Sequence, residues 1–270
     1  MSDRARVLLW RLAILVVLIG AWEWLTGIKA ISKTPGLYWI DPFFVSRPSL
    51  ILKRFAYLAS GEVRLSIWQM ALSTVQSTLW GFVVGVSTGF AAGLLLGRND
   101  RLARILEPYI IAFNSLPRIA LVPLITMIFG FGLLAKIVLA WTIVFFIVFF
   151  NTFQGARSVD ADLIHSARFL GGSDRQIMRT VIVPSALAWT FASLTPSISF
   201  ALIGVVVGEF LGGESGGGLG YLIIQSLGTL NAADMMVALF MLGAIGIVMA
   251  LGIRQIEVRL LRWRPEYQKR

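Results

Sequence analysis

Long apolar runs separated by short polar stretches dominate the chain. A helix needs about 20 apolar residues to cross a hydrocarbon layer about 30 Å thick. Six runs meet that length, at about 7–26, 69–97, 107–129, 133–155, 187–211 and 234–253. The third qualifies only with its polar start, because residues 119–129 alone would rise about 16 Å as a helix. It holds Asn114, Ser115, Pro117, Arg118 and Pro123, so N-S-L-P-R-I-A-L-V-P-L predicts a kinked span with a guanidinium well inside it. The stretch 27–67 contains Pro35, Pro42 and Pro48, then S-L-I-L-K-R-F-A-Y-L-A-S, the pattern of an amphipathic helix lying on a membrane surface.

The polar interruption at 156–186 carries its own punctuation. Ser158, Asp160 and Asp162 predict an acidic helix start, where carboxylates complement the helix dipole. Gly171-Gly172 predicts a stop, Ser173 and Gln176 an S-x-x-Q capping box that restarts a helix, and Pro184, lacking an amide donor, a block to continuation. Two short helices capped in this way make a rigid elbow suited to docking.

Composition agrees with the pattern. At 57% hydrophobic, 14% charged and a mean hydropathy of +0.80, the chain departs from soluble domains, which carry about 25% charge. The net charge of +10 is distributed by topology. With the N-terminus inside, sixteen Lys and Arg fall on the inner segments, at 4, 6, 11, 98, 101, 104, 157, 168, 175, 179 and along 254–270. Six fall outside, all in the first loop: Lys29, Lys33, Arg47, Lys53, Arg54 and Arg64. Cytoplasmic loops collect such residues, which puts both termini and the elbow in the cytoplasm. Nucleic-acid binding is disfavoured, since no basic, aromatic-interleaved soluble domain is present to carry it. The first apolar run follows Arg4 and Arg6 as a signal peptide would, but 20–24 offers no small-x-small cleavage site, so it is expected to stay as an uncleaved span. Trp22, Trp24, Tyr38 and Trp39 suit an outer interfacial belt. There are no cysteines.

Glycines at 81, 85, 89, 93 and 97 form an unbroken G-x-x-x-G ladder, and Gly204, Gly208 and Gly212 a shorter one, each allowing another helix to approach closely. The expected partner is a helix of the same chain. The run from Gly212 to Gly220 lacks the Lys-Ser/Thr of a phosphate loop and reads as a flexible external turn. Arg118 is the one charge expected deep in the membrane, beside Asn114 and Ser115, either facing a solute path or capping the carbonyls freed at Pro117. Glu209, near the outer end of the fifth span, reads as interfacial or as the partner of a basic residue. His165, the only histidine, lies in the elbow and reads as a solvated surface residue. No nucleophile triad, acid/base pair or metal cluster is apparent, which disfavours catalysis by this chain.

The elbow resembles the cytoplasmic loop of ATP-binding-cassette importer permeases, the binding-protein-dependent inner-membrane components. That loop has the pattern E-A-A, three residues, Gly, nine residues, Ile-x-Leu-Pro. Here the pattern falls on His165-Ser166-Ala167, Gly171 and Val181-x-Val183-Pro184. Ala167, Gly171 and Pro184 match, while His165 stands in place of the glutamate. Length, S-A-R-F-L-G-G-S-D-R-Q, G-E-F-L-G-G…G-L-G-Y and the tail R-L-L-R-W-R resemble the nitrate, sulfonate and taurine branch.

The resemblance implies an all-α bacterial inner-membrane protein of six transmembrane helices, a single permease domain over 1–270 without an ATPase site of its own. It implies a second copy of the chain, two ATPase subunits that bind ATP and Mg, and an external solute-binding protein. Coupling would pass through Asp160, His165, Ala167, Gly171, Ser173, Arg175 and Pro184, with Asn114, Ser115, Arg118 and Glu209 as candidates for the solute path. The solute would be a small anion, or alternatively a neutral or aromatic one such as a pyrimidine vitamin precursor. A secondary transporter is the rival class; it would show several buried acidic groups or inverted repeats.

Overall fold

The computed structural model describes residues 3–28, 40–61, 66–213 and 217–261. Among them the chain is helical and has no strand. The order is α1 (Asp3–Leu25), α2 (Pro42–Val45), α3 (Pro48–Ala59), α4 (Ile67–Arg98), α5 (Asp100–Ser115), a 3-10 turn (Arg118–Leu121), α6 (Val122–Phe129) and α7 (Leu133–Arg157). Then come α8 (Ala161–Phe169), α9 (Asp174–Ile177), a π turn (Met178–Ile182), α10 (Val183–Leu211), α11 (Leu219–Gly228) and α12 (Ala232–Leu260).

Five helical stretches are long and apolar enough to cross a bilayer: Ala5–Leu25, Ile67–Arg98, Leu133–Arg157, Asp174–Leu211 and Ala232–Leu260. The sixth expected span is a pair, Asp100–Ser115 and Arg118–Phe129, whose halves meet at 82°. The kink expected there is therefore a break. Leu116 and Pro117 are both extended, at ψ 129° and 107°, because proline disfavours helical geometry in the residue before it and offers no amide to the ladder. The helix also begins seven residues earlier than the expected 107, capped by Asn99, whose side chain accepts from the Leu102 amide at 3.0 Å.

Pro184 does not end a helix. The chain runs helical from Asp174 to Leu211 as one 38-residue stretch. The π turn absorbs the proline: Val183 N–H reaches back five residues to the Met178 carbonyl, so the widened turn accommodates a ring that would clash in a regular α-ladder. The second short helix of the elbow is therefore the start of the fifth span.

The chain forms two compact units, one of residues 1–71 with 222–242 and one of 72–221 with 243–270. In the first, the expected amphipathic segment is α3, joined to α1 through Glu23, whose carboxylate accepts the Ser49 amide at 2.9 Å and hydroxyl at 2.8 Å. Arg54 holds Asp234 with two bonds of 2.6 Å. Trp24 is 69% exposed, as a belt residue would be. Tyr38 and Trp39 lie outside the described residues, as do Lys29, Lys33, Arg64 and the tail from 262.

In the second unit α7 is the central helix. Ala140, Val144 and Val148 pack between Phe82 of α4 and Ile198, Ala201 and Val205 of α10. The long glycine ladder is the α4 face of this contact. A Cβ at Gly85 would lie 2.6 Å from Val144 Cβ, and one at Gly93 2.7 Å from Thr152 Cβ. Gly204 and Gly208 meet α7 from the other side, so both ladders pack within the chain, as expected. Between α7 and α10 the hydroxyls of Thr152 and Thr190 meet at 2.7 Å.

Candidate functional site

At the elbow, Asp160 is the N-cap of α8, its carboxylate accepting the Asp162 amide at 3.0 Å. Ser158 does not share that start; it closes α7, donating its amide to the Gln154 carbonyl at 2.8 Å. The far end of α8 stops in a paired cap, with Gly171 N–H to Arg168 O at 2.9 Å and Gly172 N–H to Ala167 O at 3.0 Å. Gly171 supplies the positive φ of 84° that this cap requires. The capping box forms as expected, with the Gln176 side chain accepting from Ser173 N–H at 2.8 Å while the Ser173 hydroxyl accepts the Gln176 amide at 3.4 Å. Arg168 and Asp174 pair at 3.1 Å across the turn.

The result is a stiff corner with an unusual tip. Phe169 is 99% exposed and Leu170 89%, whereas Ile177 behind them is buried. His165, one turn before Phe169, and Arg175 in α9 are exposed, Ala167 is half-buried, and Pro184 sits in the first turn of α10.

At the break in the third span, Ser115 donates to the Ile111 carbonyl at 2.8 Å. Arg118 donates to Asn114 Oδ1 at 2.6 Å, and its guanidinium lies over the Phe146 ring at 5.1 Å. Its Nε is buried without a partner, and among the described residues no carboxylate pairs with it. The arrangement is a half-buried cation on an aromatic wall with donor capacity to spare.

Arg118 is not the only deep charge. Lys136 Nζ lies 3.2 Å from Glu209 Oε1, with side chains 4% and 0% exposed. Glu209 is therefore the partner of a basic residue, one of its two expected roles. The carboxylate also takes the Thr74 hydroxyl at 2.9 Å and the Gly220 amide at 2.9 Å, and Lys136 donates to Ser73 at 2.8 Å. The end of the glycine run, expected as a flexible turn, is packed here: Gly218 and Gly220 are buried against the Glu209 side chain, while 214–216 lie outside the described residues. Sequence reading missed Lys136 because counting basic residues by loop passes over one inside a span. A lysine and a glutamate, each alone in an apolar run, is the signal that could have found it.

A family model described as binding-protein-dependent transport system inner membrane component matches residues 81–262. The chain is 30% identical over 257 residues to an aliphatic sulfonates transport permease protein of Bacillus subtilis, covering 93% of this chain and 86% of that one. It is 27% identical over 257 residues to the taurine transport system permease protein of Escherichia coli, with 94% and 89% covered. A riboflavin transport system permease protein of Chloroflexus aurantiacus is 32% identical over 221 residues, with 82% and 81% covered. Among solved structures, an inward-facing methionine ABC transporter superposes with a TM-score of 0.61 at 23% identity, covering 71% of this chain and 94% of that chain. This likeness shows the fold.

Proposed function

This chain belongs to the family of binding-protein-dependent transport system inner membrane components, the permease subunits of ATP-binding-cassette importers, and from that membership we propose how it works. As a permease it has no ATPase site and acts with separate ATPase subunits. We propose that two copies form the pore in a bacterial cytoplasmic membrane, that two ATPase subunits binding ATP and Mg dock on the elbow from the cytoplasm, and that an external binding protein delivers solute. The exposed Phe169–Leu170 tip with His165 one turn before it, together with exposed Arg175 and with Asp160 capping the other end of α8, supports the elbow as the docking point. Gly171, Ser173 and Ala167 shape it, and the unbroken helix through Pro184 would carry its movement into α10.

The solute we propose is a small organic anion of the sulfonate type. The observation carrying this is Arg118: a guanidinium at the break of a span, held by Asn114 and Phe146, with no carboxylate partner among the described residues. In a low-dielectric path such a fixed charge attracts an anion several-fold more strongly than it would in water. Ser115 lies beside it. We leave Glu209 out of the proposed path, because its carboxylate is engaged by Lys136, Thr74 and the Gly220 amide. A neutral aromatic solute is the second reading, favoured by the riboflavin relative and by the Phe146 wall.

Proteoliposomes carrying the permease with its ATPase and binding-protein partners test both. Arg118→Gln should cut taurine uptake by about tenfold, the effect of losing one charged contact, while leaving basal ATP hydrolysis intact, and Arg118→Lys should keep part of the uptake. Wild-type uptake of riboflavin but not taurine would replace the anionic reading with the aromatic one. Normal taurine uptake in the Gln variant would remove Arg118 from the path.

A further inference from the structure

The docking point and solute path proposed above do not use the Lys136–Glu209 pair, and its burial needs a reason. Taking two charges out of water is costly, and well-packed apolar residues usually replace a buried pair without loss of stability. Here the carboxylate collects bonds from three segments: Lys136 of α7 at 3.2 Å, Thr74 of α4 at 2.9 and 3.0 Å, and the Gly220 amide of α11 at 2.9 Å. Thr74 Oγ1 in turn accepts the Leu219 amide at 3.0 Å. Two amides of α11's first turn, which a helix leaves without internal partners, therefore end on this cluster.

The contact admits only glycine at its closest points. A Cβ on Gly218 would overlap the Glu209 carboxylate, and one on Gly220 would lie 2.7 Å from the Val206 carbonyl. A glutamine at 209 would bring one acceptor oxygen and an NH2 group to a place where Lys136, Thr74 and Gly220 all donate. Only a carboxylate satisfies them together. The helix being held has ten residues, too short to span.

We propose that Glu209, Lys136 and Thr74 are positioning residues for transport, a charged clamp that fixes the start of α11 onto α4, α7 and α10. The proposal rests on the permease role and not on the choice of solute.

The decisive variant is Thr74→Val, which keeps size and both charges but removes the hydroxyl linking Leu219 to Glu209. Thr74→Ser is the conservative rescue. In the purified complex with its ATPase subunits, hydrogen exchange at Leu219 and Gly220 should quicken by about tenfold in the Val variant and stay at the wild-type rate in the Ser variant, with α7 unchanged in both. ATP-driven taurine uptake should fall in the Val variant while basal ATP hydrolysis continues. The double variant K136M/E209M removes both charges at once, so it should fold with a thermal midpoint near wild type yet show the same fast exchange and lost uptake. It decides the matter should Thr74→Val fail to fold. Wild-type exchange at Leu219 and Gly220 in the Val variant, or wild-type exchange and uptake in the double variant, would overturn the clamp. If the wild-type complex does not move taurine, the solute reading fails, and the exchange rates alone decide the clamp.

Discussion

Gly171 and Gly172 stand side by side in the elbow and are needed for different reasons. Gly171 has open space around it but a φ of 84°. A side chain there meets no neighbour and costs only conformation, about 1–2 kcal/mol for an L-residue at positive φ. Gly172 has no positive φ but also no room, since its Cβ would come within 2.7 Å of the Ala167 carbonyl. Gly171→Val should therefore loosen the corner and reduce co-purification of the ATPase subunits by about tenfold, the factor matching that cost, while the permease still elutes as a folded species in detergent. Gly171→Asn should retain assembly, because asparagine enters the left-handed region far more readily than a β-branched residue. Undiminished assembly in the Val variant would show that the turn's geometry is not what the partner recognises. At this scale the sequence was legible wherever a residue acts on its own backbone, as at Asp160, Gly171 and Ser173. It was not legible for Ser158 or Lys136, whose roles depend on which helix end or which neighbour is near.

Among the elements, α7 is the one the second unit is built around. A glycine face of α4 and the Gly204–Gly208 face of α10 both press on it, so its packing tolerates little added volume. A Cβ at Gly89 would sit 2.7 Å from the Phe145 carbonyl, and backbone cannot rotate away. Gly89→Val should cost about 1–3 kcal/mol, read as a lower thermal midpoint of the solubilised protein. Gly252→Val, at a position with nothing within 4 Å, serves as the control and should leave the midpoint unchanged. Equal midpoints for the two variants would mean that the ladder is not the packing face. The apolar stretches of the spans and the existence of the elbow followed from hydrophobic pattern and capping residues. The elbow's junction with α10 did not, because a proline stops a helix only if the ladder stays in α register, and a π turn relaxes that condition.

For the whole molecule the basic residues carry the topology. Sixteen on one set of segments against six on the other predict cytoplasmic termini and a cytoplasmic elbow. In this cysteine-free chain, cysteines introduced one at a time at Ser173 and at Ser215, the latter outside the described residues, should label from opposite sides of the membrane. Labelling of both by an impermeant reagent in intact cells would refute the orientation.

The sequence by itself determined that this is a helical membrane protein, which apolar runs make up its spans and which family motif its elbow carries. Those properties depend on local composition and on contacts a few residues apart, and they survive without knowledge of the fold. Only the tertiary structure decided that the third span breaks at 82°, that the glycine ladders face α7, and that Thr74, Lys136, Glu209 and Gly220 meet at one buried point. Their separations along the chain, 135 residues between Thr74 and Glu209 and 73 between Lys136 and Glu209, leave no periodic trace. Burial of a charge depends on what the rest of the chain places around it.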